Sequence, residues 1–127
     1  MDLKAIAETE PLARAEFTCA GGHGRAGEVR LHCAAGSCVV VVDSFLSMTT
    51  TIAGHAKDSA REALNAGDAA ALYRLDLELA PFYCPRCDAV YCRDCWRTYN
   101  VFDEEMPGWF EETRGICPQG HERMLMD

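Results

Sequence analysis

The chain has 127 residues, 49% hydrophobic and 25% charged, with a formal net charge of -8. That size fits one compact core and argues against a repeat array or a multidomain machine, and the longest aliphatic run, Val39 to Val42, is far too short to span a bilayer. The acid excess is shared evenly, with residues 1–80 and 81–127 each at net -4, which argues against a nucleic-acid partner, since such partners are bound through Lys and Arg.

The chain opens Met1-Asp2-Leu3-Lys4 with no basic segment leading into an apolar stretch, so it is read as cytoplasmic, without a secretion signal. Leu3, Ile6 and Ala7 at helical spacing predict a short helix within residues 2–10, stopped by Pro11. Phe17 to Cys19, Glu28 to His32 and Val39 to Phe45 read as strands of a small meander, separated by breaks at Gly21-Gly22 and Gly36. From Thr51 the composition turns Ala-rich. Ala60, Ala63 and Leu64 give a narrow apolar helix face, and Gly67 gives a stop. Asp68 can cap a second helix over Ala69 to Leu75, whereas Leu75, Leu77 and Leu79 alternate as a strand would before Pro81. Both readings of that stretch stand.

Cysteine carries the chemical information. Eight Cys in a chain read as cytoplasmic favour metal ligation over a disulfide framework. Cys84-Pro-Arg-Cys87 and Cys92-Arg-Asp-Cys95 are two C-x-x-C pairs, and Cys19-Ala-Gly-Gly-His23 and Cys117-Pro-Gln-Gly-His121 are two C-x-x-G-H pairs. Two intervening residues let a tight turn aim both ligands at one tetrahedral ion with Zn–S near ~2.3 Å. Glycine before the histidine suits a turn that needs positive φ. The eight ligands Cys19, His23, Cys84, Cys87, Cys92, Cys95, Cys117 and His121 suffice for two closed Cys3His sites, hence two structural Zn2+ ions. The two C-x-x-C pairs stand too close in sequence to wrap a single ion without strain and are assigned to different ones. Cys33 and Cys38 are read as thiols of adjoining strands, Cys38 buried in the core. In alternative readings they replace Cys19/His23 as the first ligand pair, or join Cys19 and His23 around their own ion.

This order of pairs resembles the cross-braced treble-clef zinc fingers, the RING and FYVE families, mainly over residues 82–121. The resemblance implies that Cys19/His23 share an ion with Cys92/Cys95, and Cys84/Cys87 share one with Cys117/His121. The segments around Tyr83-Cys84-Pro85-Arg86-Cys87 and Tyr91-Cys92-Arg93-Asp94-Cys95-Trp96 are also similar to the IBR domain, which pairs neighbours sequentially. A FYVE domain carries a basic cluster for lipid headgroups. The acid-rich surroundings here lack one, so no membrane partner is expected. A RING- or IBR-like relationship implies a ubiquitin-type E3 ligase that recruits a charged E2-like enzyme.

Closed thiolate-rich sites leave no water to activate, and no H-x-E precedes Cys84 as a zinc deaminase requires, so no intrinsic catalysis is expected. His32 and His55 read as ordinary histidines. Cys92-Arg-Asp-Cys95 has the form of a redox pair if a helix begins at Trp96, which makes a thiol sensor a lesser alternative. Eight of the chain's eleven aromatics gather between Phe82 and Phe110, either roofing the metal sites or, at Trp109 and Phe110 in the acidic loop Asp103 to Glu112, anchoring a partner. The sequence is therefore read as one α+β domain over residues 1–127. Residues 1–80 form a strand-and-helix portion supplying the first ligand pair, and residues 81–127 form a treble-clef-like zinc module. Its expected function is that of a protein-interaction adaptor with a basic or E2-like partner, its oligomeric state left open.

Overall fold

The structure is a computed structural model describing residues 2–102, 105 and 110–126. Period-two alternation builds its first sheet. Strand β1 (Ala13–Thr18) buries Ala13, Ala15 and Phe17 and exposes Arg14, Glu16 and Thr18. It pairs antiparallel with β2 (Arg25–Ala34), which pairs with β3 (Ser37–Asp43), which pairs with β4 (Met48–Ile52). The β2–β3 hairpin turns on Ala35 at φ 52° and Gly36 at φ 79°, a two-residue left-handed turn whose twist matches the flanking strands. The meander expected from residues 17–45 is present, and β4 extends it beyond the sequence reading.

Both faces of this sheet are covered, which is why β3 can be an unbroken Val run. On the outer face, helix α1 (Leu3–Ala7), capped by the Asp2 carboxylate accepting from the Ala5 amide, packs on β2 and β3 and buries Ile6. Buried His32 lies on that face opposite Val39 and uses its Nδ1 to meet the Thr9 carbonyl at 2.9 Å. It is a structural residue, as expected, while His55 is exposed in the short turn Gly54–Ala56. Farther along the outer face, Glu28 accepts from Arg14 and Arg30 at 2.6 Å each, and these bonds, Arg30's foremost, hold its carboxyl below the usual range.

On the inner face lie α2 (Lys57–Ala66) and α3 (Ala69–Leu75), presenting Ala60, Ala63, Leu64, Ala69 and Leu72. Gly67 at φ 63° ends α2, and the Asp68 carboxylate starts α3 by accepting from the Ala71 amide at 3.1 Å. Residues 69–79 are helix and then a 3-10 turn, not a strand. Asp76 leaves the helix and caps Leu77–Leu79 by accepting from the Glu78 amide.

The remaining chain forms a two-stranded hairpin, β5 (Tyr83–Cys84) with β6 (Ala89–Val90), and a three-stranded antiparallel sheet, β7 (Arg97–Phe102), β8 (Phe110–Ile116) and β9 (Glu122–Met126), in that order. The protein is thus a small mixed α/β structure with antiparallel sheets and few helices. No helix among the described residues is long and apolar enough to cross a membrane.

One cluster of buried side chains runs from Ala13 to Leu125. Phe82 is its wedge. It stacks on Phe17 with ring centroids 5.0 Å apart, and it lies so close to Gly27 that a Cβ there would come within 2.9 Å of the ring. Trp96 packs edge-on to Tyr91 and donates its indole N–H to the Tyr91 carbonyl at 3.2 Å. Gly115 passes so near Leu125 and Trp96 that a Cβ would stand 2.7 Å from Leu125 Cδ1.

A buried arginine ties β9 to the helical segment. Arg123, 6% exposed, donates to the carbonyls of Ala80 at 2.8 Å, Tyr83 at 2.7 Å, Leu77 at 3.0 Å and Met124 at 2.8 Å, and lies 5.0 Å from the centroid of the Tyr73 ring. Burial lowers its pKa to about 10, still protonated at neutral pH. Three carbonyls from one segment read by one planar fork is geometry that a lysine cannot reproduce. Arg123→Leu strands buried acceptors at a penalty of ~1–3 kcal/mol each, so urea unfolding is expected to show a loss of about 3 kcal/mol or more. Arg123→Lys is expected to recover less than half of it. An Arg123→Leu protein with the parent's urea midpoint would refute this role.

Candidate metal centres

Four side chains converge at the first centre: Cys84, Cys87, Cys117 and His121, their ligand atoms all within 4.8 Å of one another. Cys84 ends β5 and Cys87 follows after the turn Pro85-Arg86, so the β5–β6 hairpin presents both sulfurs together. The other two come from the loop between β8 and β9. There the Gly120 amide bonds the Cys117 carbonyl at 2.9 Å, the Cys117 amide bonds the His121 carbonyl at 2.9 Å, and the His121 amide points at Cys117 Sγ at 3.4 Å. Gly120 sits at φ 87°, which folds the loop back so that the imidazole returns beside the thiol four residues earlier. His121 Nδ1 stands 3.2 Å from Cys87 Sγ, 3.5 Å from Cys117 Sγ and 3.8 Å from Cys84 Sγ, and the Cys87 and Cys117 sulfurs are 3.7 Å apart.

The second centre gathers three sulfurs from distant segments, those of Cys19, Cys92 and Cys95. Cys19 follows β1. Cys92 and Cys95 flank the 3-10 turn Arg93–Cys95, whose closing bond runs from the Cys95 amide to the Cys92 carbonyl at 3.0 Å. Cys19 and Cys95 sulfurs are 3.6 Å apart, and Cys92 and Cys95 sulfurs 3.9 Å. In both centres these spacings are close to the edge, ~3.8 Å, of a tetrahedron whose sulfurs stand ~2.3 Å from a common ion. The N-terminal loop is locked to the hairpin by the Ala20 amide on the Val90 carbonyl at 2.7 Å and by the Cys92 amide on Cys19 Sγ at 3.3 Å.

Proton affinities within the centres are pulled apart. Burial pushes the Cys84 thiol up to about 11, and burial together with the Cys19 and Cys92 sulfurs pushes Cys95 up to about 12. Burial also raises Cys19, but the amides of Cys92, Gly21 and His23 outweigh it and bring the thiol down to about 7. Cys117 is likewise lowered, burial being outweighed by the amides of His121 and Gln119. In each centre backbone amides thus favour the thiolate, the form that binds metals, at one sulfur, Cys19 in one and Cys117 in the other. The neighbouring Cys87 sulfur, together with burial, holds the Tyr91 phenol above its usual range.

His23 is where the structure departs from the ligand set read from sequence. It is exposed, and neither of its nitrogens joins the 4.8 Å grouping of Cys19, Cys92 and Cys95. Both C-x-x-G-H loops make the same first turn, the Gly22 amide bonding the Cys19 carbonyl at 3.1 Å as Gly120 does with Cys117. They close differently. The Cys19 amide bonds the carbonyl of Gly24 at 2.7 Å, one residue beyond the histidine, whereas the Cys117 amide bonds that of His121 itself. Gly24, at φ 89°, permits the later closure and leaves His23 on the outside of the bend.

Cys33 and Cys38 are neither free thiols nor ligands. They face each other across the β2–β3 hairpin with Cα atoms 4.1 Å apart and form a disulfide. Cross-strand neighbours beside a two-residue turn are held at that distance by the sheet itself, which a reading of Cys38 as a lone buried thiol overlooked. The helix from Trp96 that a redox pair at Cys92/Cys95 would need is also absent. Trp96 is extended and leads into β7. Trp109 and the side chain of Phe110 lie outside the described residues.

Two contributors escaped the sequence reading, Arg123 and the Tyr91 hydroxyl. Arg123 did leave a signal, being a cation at the inward position of β9, in phase with buried Leu125.

Fold and site together define a small α/β protein of antiparallel sheets with two cysteine-rich groups that could hold metal ions. The chain belongs to the DUF8328 family, described as a domain of unknown function, whose family model matches residues 9–127. None of the curated proteins and none of the solved structures compared with the chain matches it.

Native mass spectrometry of the Zn2+-reconstituted protein is expected to show two ions on the parent chain, one on Cys92→Ser, one on Cys117→Ser, and two on Cys33→Ser. Loss of an ion from Cys33→Ser would mean that the ligands are wrongly chosen.

Proposed function

We propose that both centres hold Zn2+ as structural ions, with Cys19, His23, Cys92 and Cys95 at one and Cys84, Cys87, Cys117 and His121 at the other, and that the chain is a treble-clef-like protein-interaction module without chemistry of its own. The observation carrying this is the convergence of sulfurs from remote segments at tetrahedral-edge spacing. Sulfur-rich four-ligand sets of this kind suit zinc in a structural role, because three thiolates donate too much charge to leave a useful Lewis acid. The energetics agree. Structural zinc contributes ~10–16 kcal/mol of apparent binding energy in small peptides, comparable with the whole stability of a domain. Chelation is therefore expected to unfold at least residues 82–127 and collapse the near-UV circular dichroism of aromatics such as Tyr91 and Trp96, and an unchanged spectrum after verified metal loss would contradict the structural role.

A basic protein partner is supported by the net charge of -8, to which six ligating thiolates and two Zn2+ would add further negative charge. It is also supported by β7, an edge strand on which Tyr99 and Phe102 are 43% and 51% exposed. The second reading, an E3 ligase of RING or IBR type, draws support from the interleaved ligand grouping, Cys19 with Cys92/Cys95 and Cys84/Cys87 with Cys117/His121. One experiment separates them. The zinc-loaded chain is titrated with basic peptides and with a panel of ubiquitin-charged E2 enzymes. Binding without faster ubiquitin discharge supports the adaptor, accelerated discharge supports the ligase, and neither binding nor discharge overturns both.

A further inference from the structure

The two centres are built on the same C-x-x-G-H motif, yet they hold its histidine differently. His121 is half-buried with its Nδ1 within 3.8 Å of all three partner sulfurs. His23 is exposed, flanked by Gly22 at φ 79° and Gly24 at φ 89°, glycines around which open space would accommodate a Cβ without contact. Its ring and two of the sulfurs nevertheless approach the same backbone position, Gly21. A Cβ placed on Gly21 would stand 3.1 Å from His23 Cδ2, 3.2 Å from Cys95 Sγ and 3.5 Å from Cys19 Sγ. Cδ2 and Nδ1 are the two ring atoms that a half-turn about the Cβ–Cγ bond exchanges. A half-turn of the ring therefore puts Nδ1, the nitrogen that His121 uses, on the side facing Gly21, the glycine that Cys19 and Cys95 also approach. The outward position is also a real place to be, because His23 and Cys92 share a cleft of about 400 Å³ whose lining includes Arg25, Phe45, Arg93 and Asp94.

We propose that the centre at Cys19, Cys92 and Cys95 is the exchangeable one, with His23 a displaceable fourth ligand and the cleft the entry path for an incoming thiol, while the centre at Cys84, Cys87, Cys117 and His121 keeps its ion. The inference rests on the zinc reading above and adds to it a point of metal transfer. The exchange is a ligand substitution with no electron transfer. The sulfur of an incoming thiol bonds to the ion, the bond from the ion to the His23 nitrogen breaks, and the thiol proton passes to the freed imidazole. The cleft is lined by two cations, Arg25 and Arg93, and two acids, Asp43 and Asp94, with Arg25 paired to Asp43 at 3.1 Å, which suits a small thiol carrying charges of both signs, such as glutathione.

The test follows zinc release from the fully loaded chain into the dye 4-(2-pyridylazo)resorcinol, with and without glutathione. Two phases of one ion each are expected, separated by at least about tenfold, the scale on which changes around a metal's ligands alter its affinity. Glutathione should accelerate only the faster phase. His23→Cys, which replaces the mobile imidazole by a thiolate, is expected to slow the fast phase toward the slow one. His23→Asn should speed it, and His121→Cys should leave it unchanged. Release of both ions at one rate, or a fast phase indifferent to both His23 variants while His121→Cys alters it, overturns the inference and leaves the structural zinc reading intact. A chain that takes up no zinc on reconstitution overturns both.

Discussion

The structure depends on two groupings of cysteine sulfurs, drawn together from segments far apart along the chain and close enough to share a metal ion. Cys19 and Cys95 sulfurs at 3.6 Å, and Cys87 and Cys117 sulfurs at 3.7 Å, are contacts between segments that the fold has brought from far along the chain. The groupings interlock. One runs from Cys19 to Cys95 and the other from Cys84 to His121, so the segment from Cys84 to Cys95 belongs to both. That segment is a two-stranded hairpin and a single 3-10 turn, too little structure to be stable alone. It is held by Phe82 wedged against Phe17 and Gly27 on one side and by Trp96 against Gly115 and Leu125 on the other. Packing brings the sulfurs near, and an ion between them would close long loops whose entropic penalty packing alone must otherwise meet.

Arg123 is the electrostatic counterpart of this arrangement. A guanidinium buried among carbonyls would ordinarily be a poor choice for a core position, since its charge gains no carboxylate partner to offset desolvation. Here the compensation is dipolar: four backbone carbonyls accept from the guanidinium, and the Tyr73 ring face adds a further attraction. A centre with three thiolates and one imidazole keeps net negative charge after binding a divalent ion, so a fixed cation nearby favours the loaded state. The same side chain gathers the carbonyls of Leu77, Ala80 and Tyr83, placing the approach to β5, and hence Cys84, relative to β9.

Local signals in the sequence were legible where a single residue decides the backbone. Gly67 and Asp68 mark the junction of α2 and α3 because one adopts left-handed φ and the other caps an amide, and both effects are chemical properties of the residue alone. The Val39 to Val42 run announced a strand covered on both faces. Other features were set by partners. Strand β4, with its Met48-Thr-Thr-Thr-Ile52 sequence, is half-exposed and takes its conformation from pairing with β3. Leu77 and Leu79 alternate like a strand, but Asp76 breaks the chain and Arg123 occupies the carbonyls that a strand would have used. For Cys33 and Cys38, spacing in sequence suggested ligands or thiols, whereas register across a two-residue turn put them face to face.

The contrast between the two C-x-x-G-H loops shows how far a motif determines a site. Up to the glycine they are the same object: Cys carbonyl to Gly amide, then a left-handed glycine. Beyond the histidine a single residue separates them. Glu122 after His121 enters β9 and can only continue the sheet, so the loop closes at the histidine and the ring is drawn inward. Gly24 after His23 has the freedom to take φ 89°, so the loop closes one residue later and the ring is left outside, over a cleft. Cysteine and histidine set which ligand atoms are available, and the residue after the histidine sets where the loop closes. A chain needing only two rigid pins would gain from closing both loops alike. The glycine after His23 is thus the backbone difference from which the proposed contrast between a fixed and an exchangeable centre is argued.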